Sequence, residues 1–325
     1  MVHGPSCPIR EGEALFNIKC EECGSICCYA DDSTYSAQGS CAEDLSEKLS
    51  EKYKAIADFL TANRLKVNDD KTHLLVMTTR QKRKHRDTNN ITISTPTAII
   101  QPSKVERLLG AQVHQDMHWK EHLLTNEDSL LKSLAKREGA LKKICRTASF
   151  KTRKMIANGI FVSKLIYLMP VWMGCEDYLL NALQVSMNRV ARIVTKLDIF
   201  TPTSLLMQQC GWLTVRQLIS YHSLMLLDRT IKFQTPAFLF QKITFNEQQG
   251  YQTRQVADYK AALIAAGVLE QAGTANCELD ITRRSWCWAT VKMYNKLPPN
   301  LRAEKVNFKS GLKDWVSKNI DSKTI

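Results

Sequence analysis

Near Thr125 the spacing of apolar residues changes, and that change limits what the chain can fold into. Before it, short β-prone runs alternate with turn residues at a period of two. After it, apolar residues recur at three and four positions, the period of helices with one buried face. The expected fold class is α+β, with antiparallel strands first and a mostly α-helical region afterwards. Leu179, Leu180, Leu183, Met187, Val190 and Val194 carry the helical period most clearly. Helices are expected over about 126–145, 151–169 and 177–196.

Within the first part, residues 25–38 read as a hairpin. Apolar and β-prone residues lead to Tyr29-Ala30, Asp31 and Asp32 follow, and Ser33 to Ser36 form a second β-prone run. Asp tolerates the backbone angles of a tight turn, so the acids belong at the tip. Neighbouring carboxylates repel unless a cation or water separates them. A magnesium ion held by carboxylate oxygens is one answer; a solvated turn is the other. A helix follows, with Ser40-x-x-Glu43 as a capping box and Leu45, Leu49, Tyr53, Ile56, Phe59 and Leu60 as one apolar stripe ending near Asn63. It should lie on the back of the sheet that carries the hairpin. Residues 72–78 read as a strand, and 91–94 with 97–101 as a second hairpin. The basic run from Arg80 to Arg86 is either a solvated loop or a phosphate contact.

The net charge of +13 calls for an anionic partner, of which nucleic acid is the commonest. No apolar run reaches the roughly 18 residues that span a bilayer, and no lipidation motif accompanies a basic amphipathic helix, so no membrane partner is expected. Met1 to Ser6 carries no charged-then-apolar leader, so the expected location is intracellular, in nucleus or cytoplasm. The 11 cysteines are scattered and odd in number, which favours reduced thiols. Cys20-x-x-Cys23 with Cys27 and Cys28 has knuckle-like spacing, but adjacent strand residues point to opposite faces, so buried thiols compete with zinc as the reading. Between Ser129 and Lys164 ten basic residues stand against one acid, Glu138. A helical segment so lopsided suits a duplex backbone, and Lys142, Lys143, Arg146, Lys151, Arg153 and Lys154 are its candidate contacts; a generically basic surface is the alternative.

Tyr29-Ala30-Asp31-Asp32 resembles the Tyr-X-Asp-Asp box of reverse transcriptases, and the Ala with the following Ser-Thr is similar to the enzymes of non-LTR (LINE-type) retrotransposons. Asn68-Asp69-Asp70-Lys71-Thr72 before Leu74-Leu75-Val76 resembles the segment after that family's active-site hairpin. Leu108-Leu109-Gly110 followed by Trp119 resembles its primer grip. The resemblance covers roughly residues 25–120 and implies a partial polymerase palm there. It implies a poorly patterned remnant over 1–24, a thumb-like helical region over 121–242, and a linker with a C-terminal helical extension over 243–325. In that last part Trp286, Trp288, Tyr294, Phe308, Leu312 and Trp315 read as packed core in preference to a base-stacking platform.

The resemblance further implies RNA-directed DNA polymerase activity on an RNA template and DNA primer, beside the remainder of a retroelement polyprotein. Two magnesium ions roughly 4 Å apart would stabilise the attacking and leaving oxygens. Asp31 and Asp32 would be ligands, Asp31 the more direct, and Lys71 would lie near the nucleotide phosphates; an exposed lysine after a turn is the bland alternative. Tyr29, Leu109 and Gly110 would touch nucleic acid. The family's third carboxylate comes from a strand well upstream. Glu11, Glu13, Glu21 and Glu22 are the only acids before Tyr29, and none sits on an apolar strand pattern. The expectation is therefore a catalytically incomplete fragment, or a non-catalytic nucleic-acid-binding remnant.

Overall fold

The computed structural model describes residues 24–29, 32–78, 83, 88–95, 98–240, 243, 286–304 and 306–320. They mix helix with short strands and fall into two compact units, Met1–His118 and Trp119–Ile325. Among the described residues no helix is long and apolar enough to cross a membrane.

In the first unit β1 (Gly24–Tyr29) pairs antiparallel with β2 (Asp32–Ala37), from Gly24 opposite Ala37 to Tyr29 opposite Asp32. Helix α1 (Ala42–Ala62) follows. Its cap lies one residue later than the expected Ser40-x-x-Glu43 box. Cys41 is the N-cap, and its sulfur accepts from the Asp44 N–H (3.4 Å). Asp44 Oδ2 in turn accepts from the Ser40 N–H (3.3 Å). The short Asp44 side chain reaches back to the cap and also pairs with Lys48 at 2.8 Å, one turn on. Asn63 ends the helix, as its sequence suggests.

The strand expected over 72–78 shrinks to β3 (Leu74–Leu75). The second hairpin appears as β4 (Ile93–Ser94) and β5 (Ile99–Ile100), paired antiparallel. The expectation of antiparallel strands alone needs one correction. β3 pairs in parallel with β6 (Pro102–Ser103), and the missing N–H of Pro102 keeps that ladder short. Strands β7 (Val105–Leu108) and β8 (Ala111–His114) close an antiparallel hairpin. The four ladders are separate two-stranded sheets. Leu49, Leu74, Ile91 and Ile93 form the small core, with Tyr35, Leu45, Tyr53 and Ile100 packed on it. Two serines of α1 stitch β4 in place: Ser46 Oγ accepts from the Thr92 N–H and Ser50 Oγ from the Ser94 N–H, both at 3.1 Å.

The second unit holds the larger core. Among the described residues its helices are α2 (Leu130–Ile144), α3 (Phe150–Ala157), α4 (Ser163–Ile166), α5 (Asp177–Thr195), α6 (Thr203–Cys210), α7 (Val215–Phe233), α8 (Ala237–Phe240), α9 (Trp286–Asn295), α10 (Pro299–Ala303) and α11 (Phe308–Asn319). The helix expected over 151–169 is α3 and α4 joined by a π-helical turn, Asn158–Val162, with Gly159 inside it. It stops four residues before Pro170. Helix α7 carries the Thr214–Gln217 capping box and buries residues around most of its circumference, so it is the axis of this unit. Tyr294, Phe308 and Leu312 are core residues, and Trp286 and Trp315 pack against them. The side chain of Trp288 and almost all of the 243–283 linker lie outside the described residues.

Candidate nucleic-acid interface

The hairpin β1–β2 exposes its end. Tyr29 is 67% exposed, and Asp32, directly opposite it, is exposed as well. Asp31 lies outside the described residues, as do Cys20 and Cys23. Asp32 presents one carboxylate at this end, the kind of oxygen ligand that magnesium takes. Cys27 is exposed and Cys28 half-buried, and both are free thiols; the Ser33 hydroxyl donates to Cys28 Sγ at 3.5 Å.

Lys71 ends a single 3-10 turn, Asp69–Lys71, and is exposed. That turn is fastened from behind. Tyr53 of α1 donates its hydroxyl to Asp69 Oδ1, and burial, then this carboxylate, push the Tyr53 hydroxyl up to about 12. Asp69 is thus committed to structure, while Asp70 and Lys71 stand in solvent.

Leu109 and Gly110 are the two central residues of the β7–β8 turn. Both have positive φ, 47° and 85°, which is the two-residue hairpin turn whose twist matches that of the strands. Glycine adopts such angles freely, whereas a leucine there costs about 1–2 kcal/mol. Leu108 and Leu109 present their side chains to solvent, 42% and 39% exposed.

In the second unit the helix period sorts the basic residues. Leu130, Leu134, Leu141 and Cys145 of the α2 segment face the core. Lys132, Lys136 and Lys143 fall within about 40° of each other on the opposite side, spread over about 16 Å of helix. Lys136, Lys143, Arg146 and Lys151 are all exposed. Lys142 is exposed too, but pairs with Glu138 at 2.9 Å, one turn back. Lys154 is half-buried, its Nζ beside Gly211 at the C-terminal end of α6, where a helix favours a cation.

Arg153 is a correction to the expected contacts. It is buried, its Nε donating to the Val194 carbonyl (2.7 Å) and its Nη1 to the Ala148 carbonyl (2.6 Å). The guanidinium turns inward to carbonyls at the end of α5 and before α3, and its burial keeps it from a phosphate in solvent. Arg137 is likewise engaged, donating to the Ile160 carbonyl at 2.9 Å.

The structure adds a residue absent from the expected contacts. Between α2 and α5 runs a groove of about 380 Å³, with Ala135, Ala182 and Ser186 among its lining and Lys132 and Arg189 on its rim. Ala182 and Ser186, one helical turn apart on α5, were the sequence signal, and only their packing opposite Ala135 of α2 made it a groove. Nearby, His122 is buried against Trp119, and burial, then the charge of Lys164, pull its imidazole down to about 4. It is neutral packing material at physiological pH.

Comparison with protein-family models, with curated proteins and with solved structures gave no match to this chain.

Proposed function

We propose that this chain is a nucleic-acid-binding part of a reverse transcriptase of the non-LTR retrotransposon type, comprising the end of the palm, the thumb and a C-terminal helical extension. The observation that supports it most is the lysine stripe of α2. Cations at positions 132, 136 and 143 lie on one line opposite the core, and Arg146 and Lys151 extend the charge past the helix end. Lysine spacings of about 6–10 Å along a helix suit successive backbone phosphates, and a polymerase must hold any sequence. The hairpin with Tyr29 and Asp32 at its end is where the family's chemistry would stand. Magnesium, in that family, stabilises the attacking and leaving oxygens of nucleotidyl transfer. This chain's part is to hold the duplex. The 325-residue polypeptide alone has little polymerase activity.

Fluorescence anisotropy with a labelled RNA–DNA hybrid tests the binding. The logarithm of affinity should fall linearly with the logarithm of salt. A K136Q/K143Q/K151Q variant should flatten that slope by about 2–3 and weaken all sequences alike. Absence of binding at low salt, or an unchanged slope, overturns the proposal. Primer extension on a homopolymer RNA template with magnesium tests the second part; incorporation well above that of an Asp31→Asn control would contradict it.

A further inference from the structure

The first unit gathers three metal-ligating side chains at the exit of β8, on a motif that the nucleic-acid reading does not use. His114, Asp116 and His118 alternate along the chain. One donor atom from each lies within 4.8 Å of the other two. The backbone brings them together. The Met117 N–H donates to the His114 carbonyl (2.8 Å), and Met117 itself has a left-handed φ of 56°. That turn folds the chain back so that the His118 ring stacks on His114, centroids 3.9 Å apart and planes 23° from parallel. Asp116 Oδ2 stands 3.8 Å from His114 Nδ1. The His114 and Asp116 side chains are only 11% and 15% exposed, so they are shielded from bulk water.

Arg83 holds the carboxylate from the other side. Its Nη1 bonds Asp116 Oδ1, and its Nη2 donates to the Gln115 carbonyl at 3.1 Å. Outer partners of this kind orient a ligating carboxylate.

We propose that His114, Asp116 and His118 form a binding site for a divalent first-row transition ion, zinc by preference, that clasps the end of the β7–β8 hairpin. Two imidazoles and one carboxylate are the three-ligand set that leaves a fourth position to water. Tetrahedral donors about 2.1 Å from the ion are about 3.4 Å apart, so the present spacing needs rotamer adjustments of about an ångström. Ion uptake at His114 Nδ1 displaces one neutral hydrogen bond, which that atom accepts from the Asp116 N–H at 3.0 Å. Magnesium is a poor occupant, because it selects oxygen ligands and octahedral geometry. This site is therefore chemically distinct from any magnesium centre at Asp31 and Asp32.

Cobalt(II) is the probe, titrated into the full chain after chelator treatment and followed by visible absorption, with zinc measured by competition against a chromophoric chelator. The expected result is one ion per chain with d–d bands of a nitrogen–oxygen site. A His114→Asn/His118→Asn variant should lose at least tenfold in affinity. Thiolate-to-cobalt charge transfer would put the ion on cysteines and overturn the proposal. So would absent d–d bands, or equal affinity in the variant. If circular dichroism shows that the double variant is unfolded, the cobalt-loaded wild-type protein decides. Hyperfine-shifted imidazole N–H resonances are expected, and their absence overturns the site. Neither outcome touches the lysine stripe, which lies on the other unit.

Discussion

The Tyr294 hydroxyl donates to Asp228 Oδ1 at 2.9 Å, joining α9 to α7 inside the core of the second unit. Lys232, one turn further along α7, reaches the same oxygen at 2.9 Å and also lies over the Phe308 ring. A buried carboxylate is thus shared between a phenol and an ammonium, and α9 is fixed across 66 residues of chain. Burial nevertheless raises the Asp228 carboxyl above its ordinary range, outweighing both partners.

Tyr294→Phe should destabilise the second unit by about 1.5–3 kcal/mol, the range for a hydrogen bond to a charged group. Urea unfolding with an unchanged m-value checks it. A loss under about 0.5 kcal/mol would mean that Lys232 alone satisfies the carboxylate. Because the folded carboxyl titrates higher than the unfolded one, ionised Asp228 costs stability above its folded pKa. The cost disappears as pH falls towards the unfolded value of 3.8. The stability of wild type relative to Asp228→Asn should therefore rise as the pH is lowered through the carboxylate range.

His122 has the opposite sign. Its folded imidazole titrates near 4 against 6.5 when unfolded. The unfolded chain then binds the extra proton first, so its contribution is complete above pH 6.5 and is lost as pH falls towards 4. On the order of 3 kcal/mol should vanish over that window. His122→Gln should flatten the stability profile between those limits, and an unchanged profile would show that the ring is accessible to solvent.

Arg153 and Lys151 are two residues apart and should behave oppositely. Arg153→Lys loses the forked geometry that serves the Val194 and Ala148 carbonyls, and should cost about 2 kcal/mol of stability with the salt slope of binding intact. Lys151→Gln should leave stability within about 0.5 kcal/mol and reduce the slope by about 0.9. Paired denaturation and anisotropy measurements separate the two; a reduced slope for Arg153→Lys in a folded protein would return that residue to the interface.

Leu109→Asn should stabilise the first unit by about 0.5–1 kcal/mol, since Asn-Gly suits a turn with two positive φ angles and leucine does not. Gly110→Ala should destabilise it by about 1 kcal/mol. Thermal unfolding reads both. If Leu109→Asn also weakens RNA–DNA hybrid binding, the leucine is kept in that strained conformation for its contact.

Much of this architecture was legible in local pattern. The heptad-like spacing of Leu179 to Val194 marked α5, and Thr214 with Gln217 marked the start of α7. Those features depend on residues within a turn or two of each other, where backbone propensity and side-chain reach decide. The parallel pairing of Leu74 with Pro102 was not legible, because pairing partners far apart in sequence are chosen by packing.

By itself the sequence determined the period change near Thr125, the number of basic residues beyond it and the alternation of His114, Asp116 and His118. Tertiary structure alone decided which cations meet solvent. Arg153 turns inward because the end of α5, forty-one residues away, presents a carbonyl to it, while Lys136 and Lys143 have the core at their backs. It also decided that His118 lies on His114, through the left-handed turn at Met117. Charge and ligand type are properties of a residue. Exposure and convergence are properties of what packs around it, and they appear only when distant segments meet.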